Sequence, residues 1–470
     1  MSFEGINSVH LLGIGGIGMS ALARWFRHEG YAVSGYDRTP SPLTDELIAE
    51  GMQISFSDHL EAIPGHISNG ADKALIIWTP AMPKDSAQLN FFMENGFKLK
   101  KRSEVLGMVT SSYYTIAVAG THGKTTTSSM IAHMLKSAGK PVVAFLGGIT
   151  QNYQSNLILG SKKAKEPALV VVEADEFDRS FLRLHPNEIV LTSADPDHLD
   201  IYGDEQHILD GFLEFVHLID RKGRLYIQQH AVQRLGEGRL PKVPTREYGL
   251  RSAGISAENI QAKPGSFLFD YLDGKQEIKG LELFIPGFHN VENALAAIAI
   301  ALDHHISVEQ IRKGISSFKG VKRRFEIHVN DGNRVFIDDY AHHPEEIKAC
   351  LSSVRAMFPT KKLTVVFQPH LFSRTRDFAE GFSESLSLAD SVILLDIYPA
   401  RELPIEGVTA AMLLDGINTD HKELVAREDL MNHLEQNPPE VLVTLGAGDI
   451  DRLVPVIASW MKEGLNRYAL

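Results

Sequence analysis

Residues Gly120-Thr121-His122-Gly123-Lys124-Thr125-Thr126 follow an apolar run, Tyr114–Ala119, and open a helical pattern reaching Ala138. Such a loop supplies backbone N–H donors, the positive end of a helix dipole, a lysine ammonium at Lys124 and a metal-binding hydroxyl at Thr125. Those are the needs of a triphosphate. The loop is shorter than the usual phosphate-binding pattern: Val118 stands where an earlier glycine is expected, and Gly120 is offset by two positions. Glu173 ends a second apolar run and suits magnesium, a hard cation that prefers carboxylate, water and phosphate oxygens. A third run, Glu188–Thr192, leads into Asp195-Pro196-Asp197-His198. His198 fits either a packed loop histidine or a metal ligand, since imidazole is a poor first choice for magnesium.

A second glycine loop lies near the N-terminus. Gly13-Ile14-Gly15-Gly16-Ile17-Gly18 follows the strand-like Val9–Leu12, and Asp37 comes nineteen residues after Gly18. This is a dinucleotide fingerprint, in which glycines admit a pyrophosphate to a helix N-terminus and an acid meets the ribose. A nucleotide sugar offers the same pyrophosphate and ribose, so the loop alone does not choose between them. The C-terminal third gathers Lys322-Arg323-Arg324, Asp338-Asp339-Tyr340-Ala341-His342-His343, Gln368-Pro369-His370 with Arg374 and Arg376, and Gly446-Ala447-Gly448-Asp449. Arginines near an ATP loop would neutralise charge during phosphoryl transfer. His343-Pro344 also reads as a helix start, with Glu345 and Glu346 favouring the dipole.

Strands alternating with helices must position these loops. That pattern predicts α/β folding around mostly parallel sheets, with ligands beyond the carboxyl ends of the strands. At 470 residues the chain exceeds one usual core. Three domains are expected: 1–107 with the first glycine loop, 108–321 with the phosphate loop, and 322–470. The net charge of −12 argues against a broad nucleic-acid surface. The single cysteine, Cys350, excludes an intrachain disulfide and reads as buried packing. No apolar run approaches the roughly 18 residues that span a bilayer, and the N-terminus carries no basic-then-apolar segment, so a cytoplasmic protein without membrane insertion is expected.

Taken in order, these motifs, with Glu173-Ala174-Asp175-Glu176, Asp197-His198-Leu199-Asp200, His289-Asn290-Val291-Glu292-Asn293-Ala294-Leu295 and Phe367-Gln368-Pro369-His370, resemble the Mur ligases over nearly the whole chain. The resemblance implies a Rossmann-like first domain, a central P-loop ATPase-like domain and a Rossmann-like third domain closing over both. It also implies ATP-dependent, Mg2+-assisted addition of L-alanine to the lactyl carboxylate of UDP-N-acetylmuramate through an acyl phosphate. The residue roles it implies are as follows. Gly15, Gly16, Ile17, Gly18 and Asp37 hold the sugar nucleotide, and Gly120 to Thr126 hold the phosphates. Thr125, Glu173 and His198 hold the metal, while Asn290 and Asn293 face adenine. Arg324 and Asp339 contact phosphate and ribose. His343, His370, Arg374 and Arg376 border the acceptor carboxylate and the amino acid. A monomer or weak homodimer is expected.

Ser193, Leu371, Phe177 and Arg179 depart from the family's usual residues, and no lysine lies between Leu199 and Asp220 to be carbamylated. Three other readings stand beside this one: a ligase attaching a recycled murein peptide to the same sugar nucleotide, a nicotinamide-dependent oxidoreductase built on Gly13–Gly18, and a nucleotide-controlled switch using only Gly120–Thr125. Each of the last two leaves one glycine loop unexplained.

Overall fold

The computed structural model describes residues 3–160, 167–196, 204–400 and 402–463. The chain divides into two compact units. One takes residues 1–254 and 296–314, the other 255–295 and 315–470.

The first unit holds two sheets. β1 (Ser8–Leu12), β2 (Ala32–Tyr36), β3 (Gln53–Ser55), β4 (Ala74–Trp78) and β5 (Lys98–Lys101) pair in parallel in the order β3-β2-β1-β4-β5. β1 is buried along its whole length, as expected of a central parallel strand covered on both faces. Its carboxyl end delivers Gly13, and α1 (Ile17–His28) follows.

The second sheet contains β6 (Tyr114–Ala119), β7 (Val142–Thr150), β8 (Ser155–Leu159), β9 (Leu169–Glu173), β10 (Glu188–Leu191), β11 (Arg224–Gln228) and β12 (Thr245–Tyr248), in the order β12-β11-β10-β6-β9-β7-β8. Only the β7–β8 pair is antiparallel, with a register shift between Phe145 and Thr150. β6 lies between β9 and β10, so the phosphate loop, Glu173 and Ser193 all emerge at one edge.

α2 (Arg102–Thr110) joins the two sheets in sequence, and α3 (Lys124–Ser137) follows the phosphate loop. One apolar cluster runs through residues of both sheets, including Trp25, Val105, Phe145, Val172 and Phe212. Buried Arg24 on α1 adds polar contacts, bonding Glu46, Glu50 and Asn156, and the Asn156 amide donates back to Ser20 and the Ile17 carbonyl. The N-terminal glycine loop is thereby fixed to the central sheet.

The second unit contains an antiparallel meander, β13 (Ser256–Lys263), β14 (Ser266–Leu272) and β15 (Glu277–Leu283). It also contains a six-stranded sheet of β16 (Glu326–Asn330), β17 (Val335–Asp339), β18 (Leu363–Phe367), β19 (Ser391–Leu394), β20 (His421–Leu424) and β21 (Val441–Leu445), ordered β16-β17-β21-β18-β19-β20. β16 alone runs antiparallel. α4 (Phe288–Asp303) begins in this unit, with His289 and Asn290 in its first turn, and its residues from 296 onward belong to the first unit. Asp338 and Asp339 close β17. α5 (Pro344–Met357) starts as His343-Pro344 predicts, with His343 as N-cap and Pro344 inside the first turn. Cys350 is buried. Among the described residues no helix is long and apolar enough to cross a membrane.

Candidate active site

The phosphate loop is held open by backbone geometry that only glycine accepts. Gly120 has φ +129°, and a Cβ there would come within 2.3 Å of Thr192 Oγ1. Gly123 is left-handed at φ +82° and caps α3. The loop is also tied to the next strand: His122 N–H donates to Ser193 Oγ at 2.7 Å, and Thr121 Oγ1 donates to the Asp195 carbonyl at 2.7 Å. Ser193 therefore braces the loop. Thr126 is buried in the first turn of α3.

Lys124 Nζ turns back onto its own loop, donating to the carbonyls of Gly120 (2.6 Å) and Thr121 (3.1 Å) and to Glu176 Oε1 (2.8 Å). Burial works against the ammonium, but Glu176, Asp175 and Glu173 outweigh it and raise the Lys124 pKa. Burial pushes the Glu176 carboxyl up to about 7, despite Lys124 beside it. Glu176 went unnoticed as a site residue in the sequence, where only its place in the acidic run could have marked it.

Glu173 accepts from Thr125 Oγ1 at 3.0 Å and from Gly147 N–H at 2.9 Å. Burial raises its pKa, with Lys124, Thr125 and Gly147 pulling the other way. A hydroxyl and a carboxylate at this separation are hard oxygen donors of the kind magnesium takes when phosphates and water complete its shell, so these two residues fit that ion. His198 lies outside the described residues. A Cβ on Gly147 would meet Glu173 Oε1 at 2.4 Å, so this bulged strand position must be glycine for the carboxylate to sit as it does.

In the N-terminal loop, Gly15 N–H donates to Asp37 Oδ2 at 2.7 Å, and a Cβ on Gly15 would lie 2.8 Å from that oxygen. Asp37 thus shapes the loop itself. Gly16 is the N-cap of α1 and Ile17 its exposed first residue.

The second unit gathers a separate group. Asn290 and Asn293 are buried on α4, linked to each other at 3.4 Å, with Asn290 donating to the Pro286 carbonyl. Arg324 lies between two left-handed residues, Arg323 (φ +60°) and Phe325 (φ +50°), a conformation costing about 1–3 kcal/mol each. Phe325 N–H repays part by donating to Asp339 Oδ2 at 2.7 Å, and Ala341 N–H reaches the other Asp339 oxygen at 2.7 Å. Arg324 stacks over Tyr340 and lies 3.7 Å from Glu346. Burial holds the Asp339 carboxyl at about 7 in spite of Arg324.

His343 is buried as the N-cap of α5, and its Nδ1 accepts from Glu345 N–H. His370 stacks on Tyr398 and lies 6.2 Å from the His342 ring. Leu371, next to it, has φ +69°, strained for a bulky residue. Arg374 is buried, whereas Arg376 is about half exposed and pairs with its neighbour Asp377, so the structure does not bring these two arginines to one surface.

Residues 8–114 match the description "Mur ligase family, catalytic domain", 118–301 "Mur ligase middle domain" and 323–448 "Mur ligase, glutamate ligase domain". A UDP-N-acetylmuramate–L-alanine ligase of Flavobacterium johnsoniae is 46% identical over 465 residues, covering 99% of this chain and 100% of that protein. The chain belongs to the Mur ligase family. Among solved Mur ligases, the UDP-N-acetylmuramate-alanine ligase of Thermotoga maritima superposes with a TM-score of 0.77 at 28% identity, covering 98% of this chain and 99% of the other. A murein peptide ligase of Psychrobacter arcticus superposes at 0.68 with 23% identity over 96% and 98% of the two chains, a likeness of fold alone.

Proposed function

We propose that this protein joins L-alanine to the lactyl carboxylate of UDP-N-acetylmuramate at the expense of ATP, releasing ADP and phosphate, in peptidoglycan precursor synthesis. The observation that carries this reading is the braced phosphate loop, with Thr125 and Glu173 joined 3.0 Å apart beside Lys124, in a chain similar end to end to an L-alanine-adding ligase. A carboxylate is a poor acyl donor. Phosphorylation gives it a leaving group: the carboxylate oxygen attacks the γ-phosphorus and ADP departs. The amine then attacks the acyl carbon, losing a proton, and phosphate leaves.

Lys124 would exchange Glu176 for phosphate oxygens, and the loop N–H groups would hold the rest of the phosphate chain. Thr125 and Glu173, with His198, would hold magnesium, which supplies charge neutralisation when bound. Asn290 and Asn293 would serve adenine, and Arg324 and Asp339 phosphate and ribose. Gly15 to Gly18 and Asp37 would serve the sugar nucleotide. His343, His370, Arg374 and Arg376 would serve the carboxylate and amino acid, with exposed Arg376 needing to leave Asp377. The functional division proposed is 1–107, 108–321 and 322–470, in a cytoplasmic monomer or weak homodimer.

The test is phosphate release measured across amino acids and acceptors, with and without magnesium. Release requiring both UDP-N-acetylmuramate and L-alanine, with a hydroxylamine-trappable acyl phosphate, is expected. Release indifferent to either substrate overturns the reading, and preference for a tripeptide over alanine moves it to peptide recycling.

A further inference from the structure

Arg102 has no role in the site described so far, yet it touches both glycine-loop and acid-loop machinery of the first unit. It is the first residue of α2, directly after β5, with its side chain one quarter exposed. Across from it stands Gly18. A Cβ added to Gly18 would come 2.8 Å from Arg102 Nη1 and 3.3 Å from Cζ, and its three nearest atoms would all belong to this arginine. In a dinucleotide fingerprint the third glycine ordinarily permits close helix-to-strand packing. Here it makes a seat for a guanidinium at the start of α1.

The guanidinium is also short of partners. Among the described residues it donates no hydrogen bond, and its one ion pair, to Asp175 Oδ2, is long at 3.8 Å. Asp175 stands two residues beyond Glu173, and Arg102, Ser103, Glu173, Asp175 and Ser180 line one small cleft. A planar fork of five donors held against a helix N-terminus, with only a loose carboxylate contact, has the chemistry of a phosphate ligand.

We infer that Arg102 is a substrate-positioning residue that binds the diphosphate of the acceptor nucleotide, with Gly18 as its seat and Asp175 as its partner while the acceptor is absent. The inference rests on the proposed reading that Gly13–Gly18 takes a nucleoside diphosphate sugar. A diphosphate at α1 would draw the fork away from Asp175, leaving that carboxylate free at the edge of the Glu173 cleft.

The test is calorimetric binding of UDP, UDP-N-acetylmuramate and uridine without ATP, and of ATP alone in a separate titration. Arg102→Ala should weaken UDP and the UDP-sugar at least tenfold while leaving uridine, which has no phosphate, and ATP unchanged. Arg102→Lys should retain part of the affinity, and Asp175→Asn should leave UDP binding equal or tighter. Gly18→Ala should lower UDP affinity with little change in Tm, since the atoms it meets belong to a flexible side chain. UDP affinity unaltered by both Arg102→Ala and Arg102→Lys overturns the inference, as does an equal loss for uridine. Failure of the unaltered protein to bind either UDP or UDP-N-acetylmuramate would instead overturn the acceptor reading itself.

Discussion

The sheet around β6 carries a charged cluster at each end, and the two clusters are built on opposite plans. At the carboxyl edge, Lys124 contacts its own loop carbonyls and Glu176, while Glu173 leans on a hydroxyl and one backbone N–H. At the amino edge, Glu188 is fully buried and met from three directions: Tyr114 Oη donates at 3.0 Å, Arg224 Nη1 at 3.2 Å, and His304 Nε2 lies 3.0 Å away. Asp303 extends that network to Tyr226 at 2.5 Å and Arg246 at 3.2 Å. Burial and Glu188 together raise the Tyr114 pKa, keeping the phenol a donor. Saturated partners mark a cluster that holds the sheet to the end of α4. Replaceable partners on a glycine-shaped loop mark one that waits for a ligand.

Lys124→Ala gives the largest expected effect. Turnover should fall by about 10³-fold or more, because the charge proposed to meet the transferring phosphoryl group is gone. Stability should change little, since Glu176, already held near neutral pH, can take up a proton when its partner leaves. Steady-state phosphate release and thermal unfolding on the same preparation check both halves. A large loss of Tm with turnover preserved per folded molecule would reverse the assignment of the two clusters.

Glu188→Ala should do the opposite. Removing the shared acceptor strands Tyr114 and His304 and weakens the hold on Arg224, at a cost of about 3 kcal/mol. This is the low end of the range for a broken buried pair, because Arg224 is partly exposed and keeps Asp303 nearby. Urea unfolding should show the loss, while kcat at low temperature stays near the original.

Between these extremes lies Gly147→Ala. The added methyl would displace Glu173 from Thr125 without removing either group. Apparent metal affinity should drop by about tenfold to a hundredfold, as for other residues that orient a metal ligand. Titration with Mn2+ in the presence of ATP, followed by its paramagnetic signal, would detect that loss independently of turnover.

The two clusters were unequally legible. The carboxyl edge announced itself because a glycine spacing after an apolar run carries local meaning, and Glu173 inherited that meaning by following another run. Glu188, Arg224, Tyr114 and His304 are as tightly engaged, but they meet only when β6, β10, β11 and the end of α4 come together, and no short spacing encodes that. Arg102 and Gly147 were hidden for the same reason: their importance lies in what faces them. The stretch from about 224 to 285 reads in the sequence as short strands mixed with Pro and Gly, which leaves the antiparallel pairing of β13–β15 open. His343 was legible as a helix start, since Pro344 and the following acids declare a first turn locally.

Asp339 sharpens the comparison further, because it accepts two backbone N–H groups and faces Arg324, yet burial keeps its pKa at about 7. Its folded value therefore lies above the unfolded value of 3.8, and the folded state binds the proton more tightly. Between these two values the unfolded chain releases a proton that the folded chain retains, so this group makes stability fall as pH rises from about 4 to about 7. Glu173 and Glu176, also raised, act with the same sign. Asp339→Asn should flatten, but not abolish, the decline of Tm across that window. It should also cost about 1–3 kcal/mol at every pH, because an amide presents an oxygen to only one of the Phe325 and Ala341 N–H groups. An unchanged slope would show that Asp339 is already ionised at pH 4 and that its two N–H donors outweigh burial, in contrast to Glu176.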